Sequence, residues 1–332
     1  MQTYGQPVIL PPKSSVGIMR IKRVLVTGAT GYKGSVLVPK LLAQGYKVVA
    51  FDTLWFGNYL PKHENLIVIA GSVINTNSIP LDGVDAIIHL ASIANDPCGE
   101  LDPKLTWETS ALATMQLADR AKRENIRHFI YASSGSVYGV KDEDQVTEEL
   151  SLEPLSEYNK TKMVSERVLM SYAEDIVVQI VRPATVCGLS PRQRLDVTVN
   201  MLTMQALKNG RMTIFGGQQS RPNIHIDDIT DLYLFLLENP DVTGVYNAGF
   251  ENITVSEIAD IIREKIDAAV ISTPSHDQRS YRMNSDKLLA TGFRPRRSVR
   301  IAIQEMINAY RQGQLTDEDR WYNLKWMQQT VL

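Results

Sequence analysis

A doubly wound parallel α/β sheet with a smaller C-terminal lobe is the architecture to expect from this chain of 332 residues. Three features point to it. Short β-branched runs alternate with amphipathic stretches, a glycine loop separates the first run from the first helix, and an aspartate closes the second run.

From Ile21 the run IKRVLVTG reads as a strand ending in a glycine turn, and GSVLVPKLLAQG as a helix stopped by Gly45. Pro39 inside that helix predicts a kink. KVVAFD, LIVIAG and DAIIHLA follow as three further strands. A helix through LTWETSALATMQLADRAKREN leads to the strand RHFIYAS, and a second, near Glu157 to Tyr172, to DIVVQIVR. Strands alternating with helices imply a parallel sheet covered on both faces, whose ligands bind at the carboxyl ends of the strands. After Arg182 the texture changes. PATVCGLSPRQRLDV is rich in turn formers, then come a helix, a short strand RMTIFG, the segment SRPNIHIDDI, a strand VYNAG and a helical end. The expected organisation is an N-terminal arm over 1–20, a cofactor domain over 21–190 and a substrate lobe over 191–332. Segments near 221–250 return to the main domain.

The balance of 35 basic and 37 acidic residues gives a net charge of −2, which suggests neither nucleic acid nor an anionic membrane as partner. A small molecule is the expected partner. Two cysteines, Cys98 and Cys187, make neither a disulfide framework nor a metal cluster and fit a reducing compartment. The first residues hold no apolar core of signal-peptide length, and no later run approaches a membrane span, so a cytoplasmic protein is expected.

In TGATGYKG the glycines are Gly28, Gly31 and Gly34. Glycines let a backbone turn tightly and approach a pyrophosphate, while the following helix N-terminus offers free N–H groups and a partial positive charge. Lys33 stands where an apolar residue is the ordinary choice; its side chain either lies over the pyrophosphate or extends into water. Asp52 ends the second strand, placed to accept hydrogen bonds from the adenosine ribose. Facing a ribose 2′-phosphate at about 4 Å, it would meet roughly 4 kcal/mol of repulsion per charge pair at an effective dielectric of about 20. One lysine offsets only part of that, so NAD is the expected cofactor rather than NADP.

The strand RHFIYAS runs into Ser133, Ser134, Gly135 and Ser136, and SEYNKTK supplies Tyr158 and Lys162 four apart on one helix face. A tyrosine with an ordinary pKa near 10 is a poor base at neutral pH. An ammonium one turn away, with the positive ring of NAD⁺, favours the phenolate. Tyr158 could then take a proton from a sugar hydroxyl whose carbon gives up hydride, with Ser134 sharing the hydrogen bond.

These residues resemble the extended short-chain dehydrogenases of the NAD-dependent epimerase/dehydratase family, built on a Rossmann fold. TGATGYKG, HLA at His89 to Ala91, SSGSVYG, YNKTK, RPNIHIDD and HDQRSYRMNSDK carry the resemblance over nearly all of the chain. It implies a nucleoside-diphosphate sugar as substrate, oxidation at sugar C4 and a homodimer. It assigns Ser134, Tyr158 and Lys162 to catalysis, with Ser136 and Thr185 beside the sugar. Asn200 and Arg221 fall to the substrate diphosphate, and Arg279 is a second arginine candidate. The implied cofactor contacts, beyond the glycine loop with Tyr32 and Lys33, are Asp52, Thr53, Ser72, Val73, Leu90, Ala91, Ser92 and Ser110, together with Tyr158 and Lys162.

Departures narrow the reaction. The 4,6-dehydratases of the family place an acidic pair where this chain has Gly135 and Ser136, and its decarboxylases use a glutamate at the position of Ser136. Ser72, Ser110 and Thr185 replace an aspartate and two asparagines of UDP-glucose 4-epimerase-like enzymes. What remains is the minimal serine, tyrosine and lysine set, sufficient for reversible oxidation at one carbon. The expected activity is a 4-epimerase-like hydride transfer. A net C4 dehydrogenase or 4-keto reductase shares the same set. A non-enzymatic NAD(P)-sensing regulator is disfavoured by the intact tyrosine and lysine, and a reductase of small aromatic or steroid carbonyls gives no reason for Asn200 and Arg221.

Overall fold

The structure, a computed structural model, describes residues 21–274 and 280–331. The N-terminal arm and Arg279 lie outside the described residues. In chain order the first half holds β1 (Arg23–Thr27), α1 (Gly34–Ala43), β2 (Lys47–Asp52), β3 (Leu66–Ala70) and β4 (Ala86–His89). These are followed by α2 (Asp96–Gly99), α3 (Pro103–Trp107), α4 (Ala113–Arg123), β5 (His128–Ala132), α5 (Glu157–Met170) and β6 (Val177–Pro183). The second half adds β7 (Thr185–Cys187), α6 (Thr198–Asn209), β8 (Arg211–Phe215), β9 (Ser220–His225), α7 (Ile226–Glu238) and β10 (Gly244–Ala248). Then come β11 (Glu251–Thr254), α8 (Val255–Arg263), β12 (Ala269–Thr273), α9 (Asp286–Ala290), α10 (Val299–Arg311) and α11 (Asn323–Thr330).

Seven strands form one sheet in the order β10-β6-β5-β4-β1-β2-β3. Every pairing in it is parallel. Period-two alternation explains why it is covered on both faces. Val24, Val26, Val48, Ala50, Ile130 and Ala132 pack with Leu37 and Leu41 of α1 and Ile229 and Leu232 of α7. Leu25, Val49, Phe129 and Tyr131 face the other way, onto Leu117 and Ala121 of α4 and Leu169 of α5. α1 runs through Pro39 to Ala43.

The strand order reverses direction between β1 and β4, which opens the crevice where such sheets hold ligands. Buried His89 closes the floor there. Its Nδ1 lies 2.6 Å from Thr27 Oγ1 and its Nε2 2.9 Å from Thr114 Oγ1. Because Thr114 already donates to Ser110 O, Nε2 carries the proton and Nδ1 accepts from Thr27. Burial, helped by the charge of Lys162, brings His89 down to about 3, so it is a neutral brace.

Two smaller sheets, β11-β9-β7 and β12-β8, belong to the second half, while β10 crosses back to the edge of the main sheet beside β6. Cys98 and Cys187 are free and buried. No helix among the described residues is long and apolar enough to cross a membrane.

Candidate active site

A cavity of about 480 Å³ lies over the carboxyl ends of β1, β2, β4 and β5, closed from above by the segment between β7 and α6. Its first wall is the glycine loop. Gly28 adopts φ +68°, and a Cβ there would stand 2.7 Å from Ala91 N. A Cβ on Gly34 would stand 2.3 Å from Ala29 O, so only glycine lets α1 start this close to β1.

Asp52 defines one end. Its Oδ2 accepts from Thr30 N at 3.0 Å and its Oδ1 from Leu54 N at 2.9 Å, so it shapes both loops while each oxygen keeps a lone pair. Burial pushes its carboxyl up, and the two backbone hydrogen bonds and the charge of Arg192 pull it back.

Ser134, Tyr158 and Lys162 define the other end. α5 starts at Ser156, whose Oγ accepts from Asn159 N, and carries Tyr158 and Lys162 one turn apart. Lys162 is buried, donates to Ala132 O at 2.7 Å and stands 5.8 Å from the centroid of the Tyr158 ring. Ser134 Oγ lies 2.7 Å from Ser136 Oγ, which donates to Asn159 Oδ1. Asn159 Nδ2 in turn donates to Asp96 Oδ1 at 3.1 Å. With the Ser136 proton committed to Asn159, Ser134 Oγ donates to Ser136 Oγ, accepts from Ser136 N at 3.2 Å, and has its proton available to turn toward Tyr158 or a cavity ligand.

The acidity of Tyr158 departs from the sequence expectation. Burial pushes its phenol up; the Ser134 hydrogen bond and the Arg194 charge pull it down, and Asp96 pushes it up. Desolvation outweighs the neighbouring charges because the phenolate loses water deep in the cavity. Lys162 is itself held well below its ordinary value by burial and by the charge of Lys33.

Most of the expected site residues meet on this one cavity. Gly31, Tyr32, Lys33, Thr53, Ser72 and Val73 line it beside the glycine loop and Asp52, and Leu90, Ala91 and Ser92 line it after β4. Ser136, Thr185 and Arg221 line it as well. Two residues are placed elsewhere. Ser110 sits in the π turn Glu108–Leu112 that joins α3 to α4. The extra residue in that turn brings Thr109 rather than Ser110 to the cavity wall. The Oγ atoms of both Thr109 and Ser110 are buried with no hydrogen-bond partner among the described residues. Asn200 is fully buried and spends its amide on protein. Its Nδ2 reaches Tyr32 OH at 3.0 Å and Arg194 O at 2.9 Å, and its Oδ1 accepts from Gly188 N at 2.9 Å. It staples the turn above the cavity instead of facing a diphosphate.

The profile of the NAD dependent epimerase/dehydratase family matches residues 24–249. The chain belongs to this family. A Bacillus subtilis relative, named uncharacterized UDP-glucose epimerase YtcB, is 32% identical over 262 residues, covering 73% of this chain and 81% of the relative. UDP-glucuronic acid decarboxylase 1 of Arabidopsis thaliana is 28% identical over 327 residues, covering 92% of this chain and 73% of the relative. Among solved structures, the UDP-glucuronic acid 4-epimerase of Bacillus cereus, in complex with UDP-glucuronic acid and NAD, superposes with a TM-score of 0.76. It is 27% identical, over 87% of this chain and 99% of that one. The chain is therefore an enzyme of the extended short-chain dehydrogenase type, and NAD is its cofactor.

The residues present fit that cofactor. At Gly31 an added Cβ would meet only Gly28 O, at 3.3 Å, so bare backbone faces the cavity where a pyrophosphate needs close approach. Asp52 stands at one end of the cavity, and Lys162 with Thr109 at the other.

Sequence reasoning missed the cluster that roofs the site. Arg194 donates from Nε to Asp196 Oδ1 at 2.9 Å and from Nη2 to Oδ2 at 3.1 Å. Asp196 Oδ2 also accepts from Asn95 Nδ2 at 3.2 Å and from Asn323 N of α11 at 3.2 Å. Burial pushes the Asp196 carboxyl up, but the charge and hydrogen bonds of Arg194 prevail and hold it low. Asn95 has φ 81° and ψ 161°, a conformation that favours glycine and costs about 1–3 kcal/mol in other residues. Arg192 lies over the Phe56 ring at 3.9 Å and donates to Asn323 Oδ1 at 2.6 Å. The only local signal for this cluster was two arginines and an aspartate in a turn-rich stretch just past a strand end.

Proposed function

We propose that the enzyme acts on a nucleoside-diphosphate sugar by reversible hydride transfer at C4, in the manner of a UDP-glucose 4-epimerase. The observation that carries this reading is the placement of Ser134, Tyr158 and Lys162 at one end of a cavity whose sugar side is lined by Arg194 and Arg221. Guanidinium groups bind phosphate bidentately at little cost in hydration, which suits a diphosphate link. The Bacillus subtilis relative carries a UDP-glucose epimerase name, which supports the same substrate class.

NAD supplies the hydride acceptor and donor. Tyr158 takes the C4 hydroxyl proton and returns it, Ser134 turns its own hydroxyl proton from Ser136 onto the C4 oxygen, and the Lys162 amine stands beside the phenol. The Ser136, Asn159 and Asp96 chain fixes the rotamer of Ser134. The proposed contacts are Thr185 and Ser136 to the sugar, Arg221 to the diphosphate, and Asp52, Thr53, Ser72 and Val73 to the adenosine. The division into a cofactor domain over 21–190 and a substrate lobe over 191–332 is part of the same reading.

The test is turnover of UDP-glucose by the purified protein without added NAD(H), followed by the appearance of the C4 epimer. Stoichiometric conversion of NAD⁺ to NADH with release of a free 4-keto sugar would replace epimerisation by net dehydrogenation.

A cytoplasmic homodimer completes the reading. The two buried free thiols suit a reducing compartment. Trp107, Leu112, Met115 and Met170 are large apolar side chains exposed on the α3 to α4 stretch and on α5, which pack against each other and leave a face for a second copy. Monomeric mass by light scattering at working concentrations would exclude the dimer.

A further inference from the structure

Lys33 is the residue of the glycine loop that the reaction above leaves without a task. It is the residue from which α1 departs, and its backbone is helical, so nothing in the local conformation demands a lysine. The side chain does not extend into water. It is half-buried, lines the cavity, and puts Nζ 3.4 Å from the hydroxyl of buried Tyr233 and 5.9 Å from that ring's centroid. Among the described residues no carboxylate lies within ion-pair distance of it.

The sheet order says which half of the cavity this ammonium serves. β2, with Asp52, lies on one side of β1, and β4 and then β5 on the other. Lys162 is anchored on the last carbonyl of β5. Tyr233, the side chain nearest Nζ, belongs to α7, which packs against β5 and β7, and in keeping with that position the charge of Lys33 acts on Lys162. Burial and Arg194 together lower Lys33 to about 8. Lys33 therefore belongs with Lys162 and Arg194 around the end where Tyr158 stands, not with the adenosine end.

The nicotinamide ring carries a unit positive charge when oxidised and none when reduced. A fixed cation at its end of the cavity penalises the oxidised form alone. We propose that Lys33 is such a cation, a residue that makes the bound cofactor a stronger oxidant and so favours the oxidised-sugar side of the equilibrium. This deepens the proposed function, since it rests on Tyr158 and Lys162 marking the hydride-transfer end.

The test is equilibration of the holoenzyme, without sugar, against a graded series of redox dyes, with the reduced-nicotinamide absorbance as readout. Lys33→Met should shift the bound NAD⁺/NADH ratio about tenfold toward NAD⁺, which for a two-electron couple is about 30 mV. Lys33→Arg keeps the charge and should keep the wild-type ratio. The gap between wild type and Lys33→Met should close once pH is high enough to discharge the ammonium, while Lys33→Arg should hold it open. Equal loosening of both cofactor forms in Lys33→Met, with the ratio unchanged, would make Lys33 a pyrophosphate anchor and overturn the proposal. No change in any readout would overturn it as well. Failure of the parent reading looks different: Tyr158→Phe would then leave turnover intact, a result independent of any dye titration.

Discussion

The ion pair between Glu166 and Arg182 is buried against the helix that carries Tyr158 and Lys162, and removing its carboxylate should be costly. Arg182 Nη2 donates to Glu166 Oε2 at 2.6 Å and Nε to Oε1 at 3.0 Å, with both side chains almost fully buried. Ser133 Oγ donates to the same carboxylate, and Arg182 Nη1 donates to Tyr138 OH at 2.7 Å. The pair ties α5, which carries Tyr158 and Lys162, to β6. Glu166→Gln keeps the shape but leaves a guanidinium buried without its counter-charge, a change worth about 3–5 kcal/mol. At about 2.1 cal/mol/K per residue, unfolding this chain has an entropy of roughly 0.7 kcal/mol/K, so the melting temperature should fall by about 4–7 °C. Calorimetry of the wild type, Glu166→Gln, Glu166→Met and the double variant Glu166→Met/Arg182→Met gives the assay. The double variant should recover stability relative to the single one, because no charge is then stranded. A Glu166→Gln loss below about 1 kcal/mol, or a double variant worse than the single by the full Arg182 contribution, would mean that water reaches the pair and would refute the reasoning.

Three further outcomes follow from the same geometry. Arg194→Met removes a charge that pulls the Tyr158 phenol down, so the rising limb of kcat/KM, where Tyr158 deprotonates, should move to higher pH; an unmoved profile would separate Arg194 from Tyr158. Asn200→Ala takes the partner from Gly188 N and from Arg194 O in a buried turn and should cost about 1–3 kcal/mol in chemical denaturation. Gly34→Ala puts a methyl 2.3 Å from Ala29 O, and should both loosen NAD in a fluorescence titration and destabilise the protein by about 1–3 kcal/mol.

Much of the main sheet was legible because its signals are local. Alternation in KVVAFD and RHFIYAS fixes which side chains face α1 and which face α4. The spacing of Tyr158 and Lys162 fixes a shared helix face, and the glycine loop fixes the start of α1. The roof of the site was not legible. Asn95, Arg194, Asp196 and Asn323 meet only after the chain has crossed the cavity twice, and no periodicity records that meeting. The π turn misled for another reason: a single extra residue in a helix that reads as continuous exchanges Thr109 for Ser110 at the wall. Asn200 has the residue type for ligand binding, but the turn it staples offers three backbone groups at closer reach.

Charge placement connects the fold to the chemistry. The chain as a whole is acidic by two charges, yet the cavity lining holds Lys33, Lys162, Arg192, Arg194 and Arg221 against Asp52, Asp96 and Asp196. Of the three carboxylates, Asp52 is spent on two loop N–H groups, Asp196 on Arg194, and Asp96 accepts from Ser156 and Asn159. A surplus of positive charge in a partly buried crevice is costly unless an anion completes it. A folded chain that concentrates its positive charge in one crevice is therefore built around anionic ligands small enough to enter it, which is what two diphosphate-linked molecules, the cofactor and the proposed substrate, supply. The same surplus explains why Lys33 matters. With the diphosphates met by backbone N–H groups and arginines, an additional ammonium at the reactive end acts chiefly on the one ligand charge that the reaction itself switches off.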